Sequence, residues 1–187
     1  MISESTIFKQ QNYTQSNLPK GEYDNCTFVN CVFLDSDLSN VSFVECKFYD
    51  CDLSNVTLKQ TVFNDVKFEN CKMLGLQFNN CNDFLFSVAF KSCNLNVSSF
   101  HQVKIKETHF DTCLLQNVDF TKADMSGSLF DKCNFKTSIF DRTKIDAADF
   151  ESSYNYVIDP ESNSIKKAKF SMPEVLGLLN KYNIEVK

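Results

Sequence analysis

Residues 68–81 read FENCKMLGLQFNNC, in which Phe68, Met73 and Phe78 recur every five residues while Cys71, Leu76 and Cys81 each follow three later. A strand repeats its facing every two residues and an α-helix turns once in about 3.6, so neither keeps residues five apart on one side. The step extends far beyond this stretch. Every fifth position from Phe8 to Phe78 is Phe, Tyr, Leu or Met, and after a shift of two residues every fifth position from Leu85 to Phe150 is Phe, Leu, Ile or Met. These 29 centres hold sixteen of the nineteen phenylalanines. Two residues before each centre, in nearly every repeat from Cys26 onward, stands a small or medium side chain (Cys, Ser, Val, Thr or Ala), Leu76 being the largest. The remaining positions are mostly Asn, Asp, Ser, Lys, Gln and Thr.

A chain that turns a corner once per repeat satisfies this pattern, because each centre and the small residue before it then point inward throughout. Successive turns pair their backbones at about 4.8 Å, as in β-helices and other solenoids. The cysteines suggest how many sides a turn has. Cys26 and Cys46 are 20 residues apart, as are the members of the series Cys31, Cys51, Cys71 and Cys93, Cys113, Cys133. Four repeats per turn give a square coil.

Here the chain resembles the pentapeptide-repeat proteins, whose pattern is A-[D/N]-L-x-x; Ala123-Asp124-Met125 and Ala148-Asp149-Phe150 match it closely. The resemblance implies an all-β solenoid, a right-handed quadrilateral β-helix over residues 1–155, followed by a C-terminal cap and dimerisation module, 156–187, containing a short helix.

Between Phe78 and Leu85 the interval is seven, a two-residue interruption near 79–86 in which Asp83 would point inward in either frame. A buried unpaired carboxylate is costly. Asn82, Asp83 and Phe84 are therefore expected to bulge outward, with Leu85 or Phe86 resuming the core. Allowing for the two extra residues, Cys31, Cys51, Cys71, Cys93, Cys113 and Cys133 form one column on a single inner face. There cysteine is expected to act as a small buried hydrophobe rather than as a metal ligand, disulfide partner or nucleophile.

The chain has 187 residues and a net charge of -5, with no apolar run long enough to cross a membrane and neither a basic start nor an apolar leader. A cytoplasmic protein without membrane attachment is expected, and direct nucleic-acid binding, which needs clustered Lys and Arg, is disfavoured. The two histidines fall on opposite faces, following centre Phe100 (His101) and preceding centre Phe110 (His109). Four scattered glycines form no phosphate-binding loop. No catalytic constellation can be assembled, so no enzyme, cofactor or metal is expected.

Solenoids act through surfaces. On the side of Phe48, Phe68, Phe90, Phe110, Phe130 and Phe150, the outward acids Asp50, Glu69, Asp111, Asp131, Asp149 and Glu151 face Lys47, Lys67, Lys91 and Lys132. Asp111, Asp131 and Glu151 should form a row. The side of Phe63, Ile105, Met125 and Ile145 carries Glu45, Asp65, Glu107, Asp124 and Asp146 against Lys104, Lys106 and Lys144. Such rows are either solvated surface or an imitation of a phosphate backbone.

After Phe150 the rhythm stops. Asp159-Pro160-Glu161-Ser162-Asn163 reads as a turn, and Ile165–Phe170 as one last irregular side. Ser171-Met172-Pro173-Glu174 has capping-box spacing and starts a helix. Its surplus apolar residues, Met172, Val175, Leu176, Leu179 and Tyr182, with Ile184 in a terminal strand Ile184-Glu185-Val186, suggest a homodimer interface. The order turn, KKAKF, short helix with LL, then IEV is similar to the C-terminal module of Qnr-type and MfpA-type pentapeptide proteins. That likeness implies a dimeric, DNA-mimicking protein that engages DNA gyrase or topoisomerase IV and protects it from quinolones. Where many Qnr-type proteins carry two long loops, this chain has only the two-residue interruption. The alternative is a scaffold for another protein, contacted through Val32, Leu34, Leu74 and Leu114 on a neutral side.

Overall fold

In the computed structural model, which describes residues 2–186, the chain winds as a right-handed quadrilateral β-helix. The corners explain the period of five. Two residues after most centres the backbone enters the left-handed region: Asn25 at φ 47°, Asn30 at 52°, Asp35 at 57°, Asn40 at 60°, and onward to Ala147 at 56°. Asn and Asp tolerate this region better than other non-glycine residues, which accounts for their frequency after the centres. Each corner redirects the chain before a strand can grow, and most strands are three residues long.

Four flat faces result, and each coil bonds to the next in parallel. The first face carries strands Ile7–Lys9, Thr27–Val29, Lys47–Tyr49, Val66–Glu69, Val88–Lys91, His109–Asp111 and Leu129–Asp131. The second is joined by the bridges from Asn12–Val32 through Asn134–Tyr154, and the third by Asp37–Thr57 and by Gln77–Ser99 through Asp119–Ile139. On the fourth lie strands Ile2–Glu4, Glu22–Asp24, Ser42–Val44 and Val62–Asn64, with bridges from Lys104 to Ser164 resuming beyond the interruption. Backbone groups alternate between the coil above and the coil below: Leu53 N–H donates to Lys72 O at 2.7 Å, and Lys72 N–H to Cys51 O at 2.9 Å.

Inside, the centres form columns. On the first face nine phenylalanines, Phe8 through Phe170, stack in eight steps with ring centroids 4.6–5.6 Å apart. Neighbouring columns meet edge to face, as Phe43 and Phe48 do at 5.3 Å. Burying one such ring contributes about 1.5–3 kcal/mol, and a well-placed aromatic pair about 0.5–1.5 kcal/mol more.

The small inward position has a polar duty as well. Thr61, Ser98, Ser128 and Ser153 donate their hydroxyls to the carbonyls of Leu38, Met73, Ile105 and Phe130 on the preceding coil, at 2.7–3.1 Å. Thiols make the same contact: Cys46 reaches Tyr23 O at 3.1 Å and Cys93 reaches Phe68 O at 3.4 Å.

At the interruption, Asn82 stays attached through its N–H to Thr61 O at 2.9 Å, and its side chain accepts the Phe84 N–H at 2.9 Å. The segment that swings out is therefore 83–85. Phe84 and Leu85 are 73% and 59% exposed. Leu85 cannot be a centre, because it takes the left-handed corner at φ 56°. Phe86 resumes the core, edge-on to Phe63 and Phe78 at 6.3 Å each, and Val88 and Phe90 restore the register against Val66 and Phe68.

Coil register continues past residue 155: Lys144 bridges Ser164, Asp149 bridges Lys169, and Phe170 stacks on Phe150 at 5.6 Å. The segment Ile165–Phe170 is thus a regular continuation rather than an irregular side. No α-helix follows. Two 3-10 turns, Val175–Leu178 and Asn180–Tyr182, take its place. The reason is a competing bond: Gly177 O accepts the Ile158 N–H at 3.1 Å, so it is not free to bond along a helix. Ser171 does accept the Glu174 N–H, at 3.4 Å. Ile184-Glu185-Val186 has no strand pairing, since no neighbouring strand lies beside it.

Candidate functional site

Cys31, Cys51, Cys71, Cys93, Cys113 and Cys133 each directly precede a residue of one bridged series, Val32, Asp52, Lys72, Asn94, Leu114 and Asn134. All six are buried on the second face, and the Lys72–Asn94 bridge carries the series across the interruption. Burial pushes the Cys46 thiol up to about 12, and the Cys113 thiol beside Cys93 helps push that group up to about 12 as well. Such thiols hold their protons at neutral pH, the opposite of what a nucleophile requires.

Cys81 stands apart from the column, partly exposed in a cavity that His101 also lines. Burial raises its pKa too, with no cation or hydrogen bond opposing the shift. His101 turns instead toward Asp119, with Nδ1 3.8 Å from a carboxylate oxygen. His109 lies on the opposite face, paired with Leu129. Among the described residues no three His, Cys, Asp or Glu side chains gather to hold a metal ion, and no helix is long and apolar enough to cross a membrane.

What remains is surface. On the first face Asp111 aligns with Asp131, and Glu151 follows in the same register because Leu129 bridges Asp149. Behind them the row continues to Lys91, Glu69 and Tyr49, and Lys91 pairs with Glu69 at 3.0 Å. Asp149 occupies a neighbouring row against Lys169 at 2.9 Å, and Asp50 sits at a corner. Burial works against ionisation of Asp149, yet the Glu151 N–H and the Lys169 ammonium hold its carboxyl below the usual range. Counted over the whole face, Lys9, Lys47, Lys67, Lys91, Lys132 and Lys169 balance the six acids. The excess of these six acids over Lys47, Lys67, Lys91 and Lys132 read from the sequence therefore disappears over the full length of the face, while the acids concentrate toward the C-terminal coils.

The fourth face divides differently. Before the interruption its outward positions are Ile2, Glu4, Ser5, then Glu22, Asp24, Asn25, then Ser42, Val44, Glu45, then Val62, Asn64 and Asp65. Five carboxylates share these four coils with no Lys or Arg among them. Among the described residues only Asp65 of these five forms an ion pair, with Lys67 at 3.8 Å around the corner. Glu4 lies beside Asp24 in the sheet register. Beyond the interruption the sign reverses, with Lys104, Lys106, Lys144, Lys166 and Lys167 against Glu107, Asp124 and Asp146. The sequence reading had Glu45 and Asp65 on this side but not Glu4, Glu22 and Asp24. The frame through Tyr23 places Glu22 and Asp24, and carrying it one coil further back, to Ser3, places Glu4.

The neutral second face carries Val32, Leu34, Leu74 and Leu114, but its exposed apolar groups do not join. An ion pair between Lys72 and Asp52, 3.4 Å long, stands between Val32 and Leu114. At the C-terminal end Met172, Leu176, Tyr182 and Ile184 are exposed, Val175 and Leu179 half-buried, and a groove of about 200 Å³ opens between Leu176, Leu179 and Ile184.

The corner every five residues, four faces and inward columns are matched by a family profile described as a pentapeptide repeat region, over residues 22–83 and 76–150. The chain belongs to the pentapeptide-repeat family. Among curated proteins none matches it in sequence. Among solved structures, a trypsin-treated variant of QnrB1, a plasmid-mediated fluoroquinolone resistance protein, superposes with a TM-score of 0.65 at 18% identity, over 100% of both chains. A second trypsin-treated QnrB1 variant gives 0.63 at 16% identity, covering 100% of this chain and 92% of that one. HetL, a pentapeptide repeat protein involved in heterocyst differentiation regulation from the cyanobacterium Nostoc, gives 0.55 at 11%, covering 92% and 87%. At these identities the likeness is one of fold.

Proposed function

We propose that this pentapeptide-repeat protein is a non-catalytic, cytoplasmic DNA mimic that binds a type II topoisomerase, DNA gyrase or topoisomerase IV, and thereby confers protection from quinolones. The observation that carries the reading is the lysine-free group Glu4, Glu22, Asp24, Glu45 and Asp65 on one flat face. Glu4 and Asp24, and likewise Glu45 and Asp65, stand in register on successive coils, about 4.8 Å apart, the same scale as the about 3.4 Å rise between phosphates on one DNA strand. A rigid coil with fixed acids at that spacing attracts a basic DNA-binding groove and steers its approach. Asp111, Asp131 and Glu151, near the other end, supply a second acidic row with Asp50, Glu69 and Asp149 around it. The QnrB1 fold likeness, with that protein's role in fluoroquinolone resistance, supports the choice of partner.

The protein acts as a homodimer joined through Met172, Val175, Leu176, Leu179, Tyr182 and Ile184, which leaves the acidic faces of both copies open. Sedimentation should give twice the 21.5 kDa chain mass at micromolar protein. Gyrase supercoiling and cleavage-complex assays, with and without ciprofloxacin, test the function. Added protein should rescue supercoiling, and replacing the five fourth-face acids with Gln should abolish the rescue. No effect of the native protein at micromolar concentration refutes the reading.

A further inference from the structure

The outward swing of 83–85 leaves an opening between the third and fourth faces. It is a cavity of about 390 Å³. Val103 and Cys81, both at small inward positions, are left partly uncovered there, and Phe86 is half-buried beside them. Among the described residues Cys81 is the one cysteine whose thiol donates to no carbonyl. Those groups form a small apolar recess. Around it stand polar side chains, including Lys104 and Asp83. Neither takes part in any ion pair among the described residues, whereas Lys106 on the same face pairs with Asp124 at 3.3 Å. Among the described residues the rim thus holds one unpaired cation and one unpaired anion, more than 4 Å apart, above an apolar recess.

We propose that this cavity binds a small zwitterion, a free α-amino acid with an apolar side chain. Lys104 receives the α-carboxylate, Asp83 receives the α-ammonium, and the side chain enters the recess between Phe86, Val103 and Cys81. The amides of Gln60 and Gln102, both lining the cavity, are within the same rim to complete the hydrogen bonding. A ligand with one charge of each sign meets both rim groups at once, whereas an anion alone would face Asp83 and a cation alone Lys104. The proposal is independent of any topoisomerase partner.

Calorimetric titration of the full chain with L-leucine tests it, alongside N-acetyl-leucine, which lacks the ammonium, and leucinamide, which lacks the carboxylate. Leucine should bind, and each blocked analogue about tenfold or more weakly, the scale of one charge-assisted hydrogen bond. Lys104→Gln and Asp83→Asn, both at exposed positions, should each weaken leucine to the same degree while leaving thermal unfolding unchanged. As a second readout, leucine should slow alkylation of Cys81, with Cys81→Ser marking the site. Absence of both heat and protection at millimolar leucine overturns the proposal. So does equal binding of N-acetyl-leucine, which would make the cavity a plain anion site, or leucine affinity unchanged in both variants.

Discussion

A β-carbon added to Gly177 would lie 2.0 Å from the carbonyl oxygen of Tyr156. The cap therefore closes on the last coil by direct contact of two backbones, and the Ile158 N–H bond to Gly177 O runs through the same contact. Replacing Gly177 with Ala should force them apart at a cost of about 1–3 kcal/mol, the usual range for overpacking. Thermal unfolding measures the loss, and faster amide exchange at Ile158 locates it.

Val97 occupies a corner at φ 57°, where a β-branched side chain is strained. The same corner on neighbouring coils holds Asn55, Gly75 and Asn117. Val97→Asn should stabilise the protein by about 1 kcal/mol, and Asn117→Val should destabilise it by a similar amount. Denaturant midpoints of the two variants should move in opposite directions.

Cys93 donates to Phe68 O in the way that Ser98 donates to Met73 O. Cys93→Ser keeps size and donor and should change stability by less than about 1 kcal/mol, whereas Cys93→Leu overfills the column and should cost about 1–3 kcal/mol. Equal losses in the two variants would show that the position discriminates by chemistry rather than by volume.

Lys181 grips Asp159 at 2.7 Å and Glu161 at 2.5 Å, and the Tyr182 hydroxyl donates to Glu161 at 2.7 Å. These contacts hold both carboxyls below their ordinary pKa values. A carboxyl whose folded pKa is depressed stabilises the fold above its unfolded pKa, about 4, and that contribution is lost as pH falls through the folded value. Acidification below about pH 4 should therefore loosen the C-terminal cap before the coils. Amide exchange in residues 175–182, compared with that around Phe110, reads this out. Lys181→Gln should make the cap equally loose at neutral pH.

The coil was legible because its physical demand recurs at every repeat. A large apolar side chain must sit at each centre, a small one two residues before, and a residue that tolerates positive φ two residues after. The five-residue frame alone therefore gives the fold, the inward cysteines and the opposite placement of His101 and His109. The cap was less legible. Its capping-box spacing and apolar content are compatible with an α-helix, and only the contact of Gly177 with the end of the coil turned it into 3-10 segments.

The surface shows the same division. Sequence determines which side of the square each charge faces, because facing depends only on position within the repeat. It does not determine which charges neutralise one another, since ion pairs such as Lys91–Glu69 form across coils about twenty residues apart and depend on how side chains bend. Nor does it determine what two extra residues do. Whether they sink into the core, slip the register or swing outward was decided by competition for space among Phe63, Phe78 and Phe86. That competition left Phe84 and Leu85 in solvent and opened a cavity beside them.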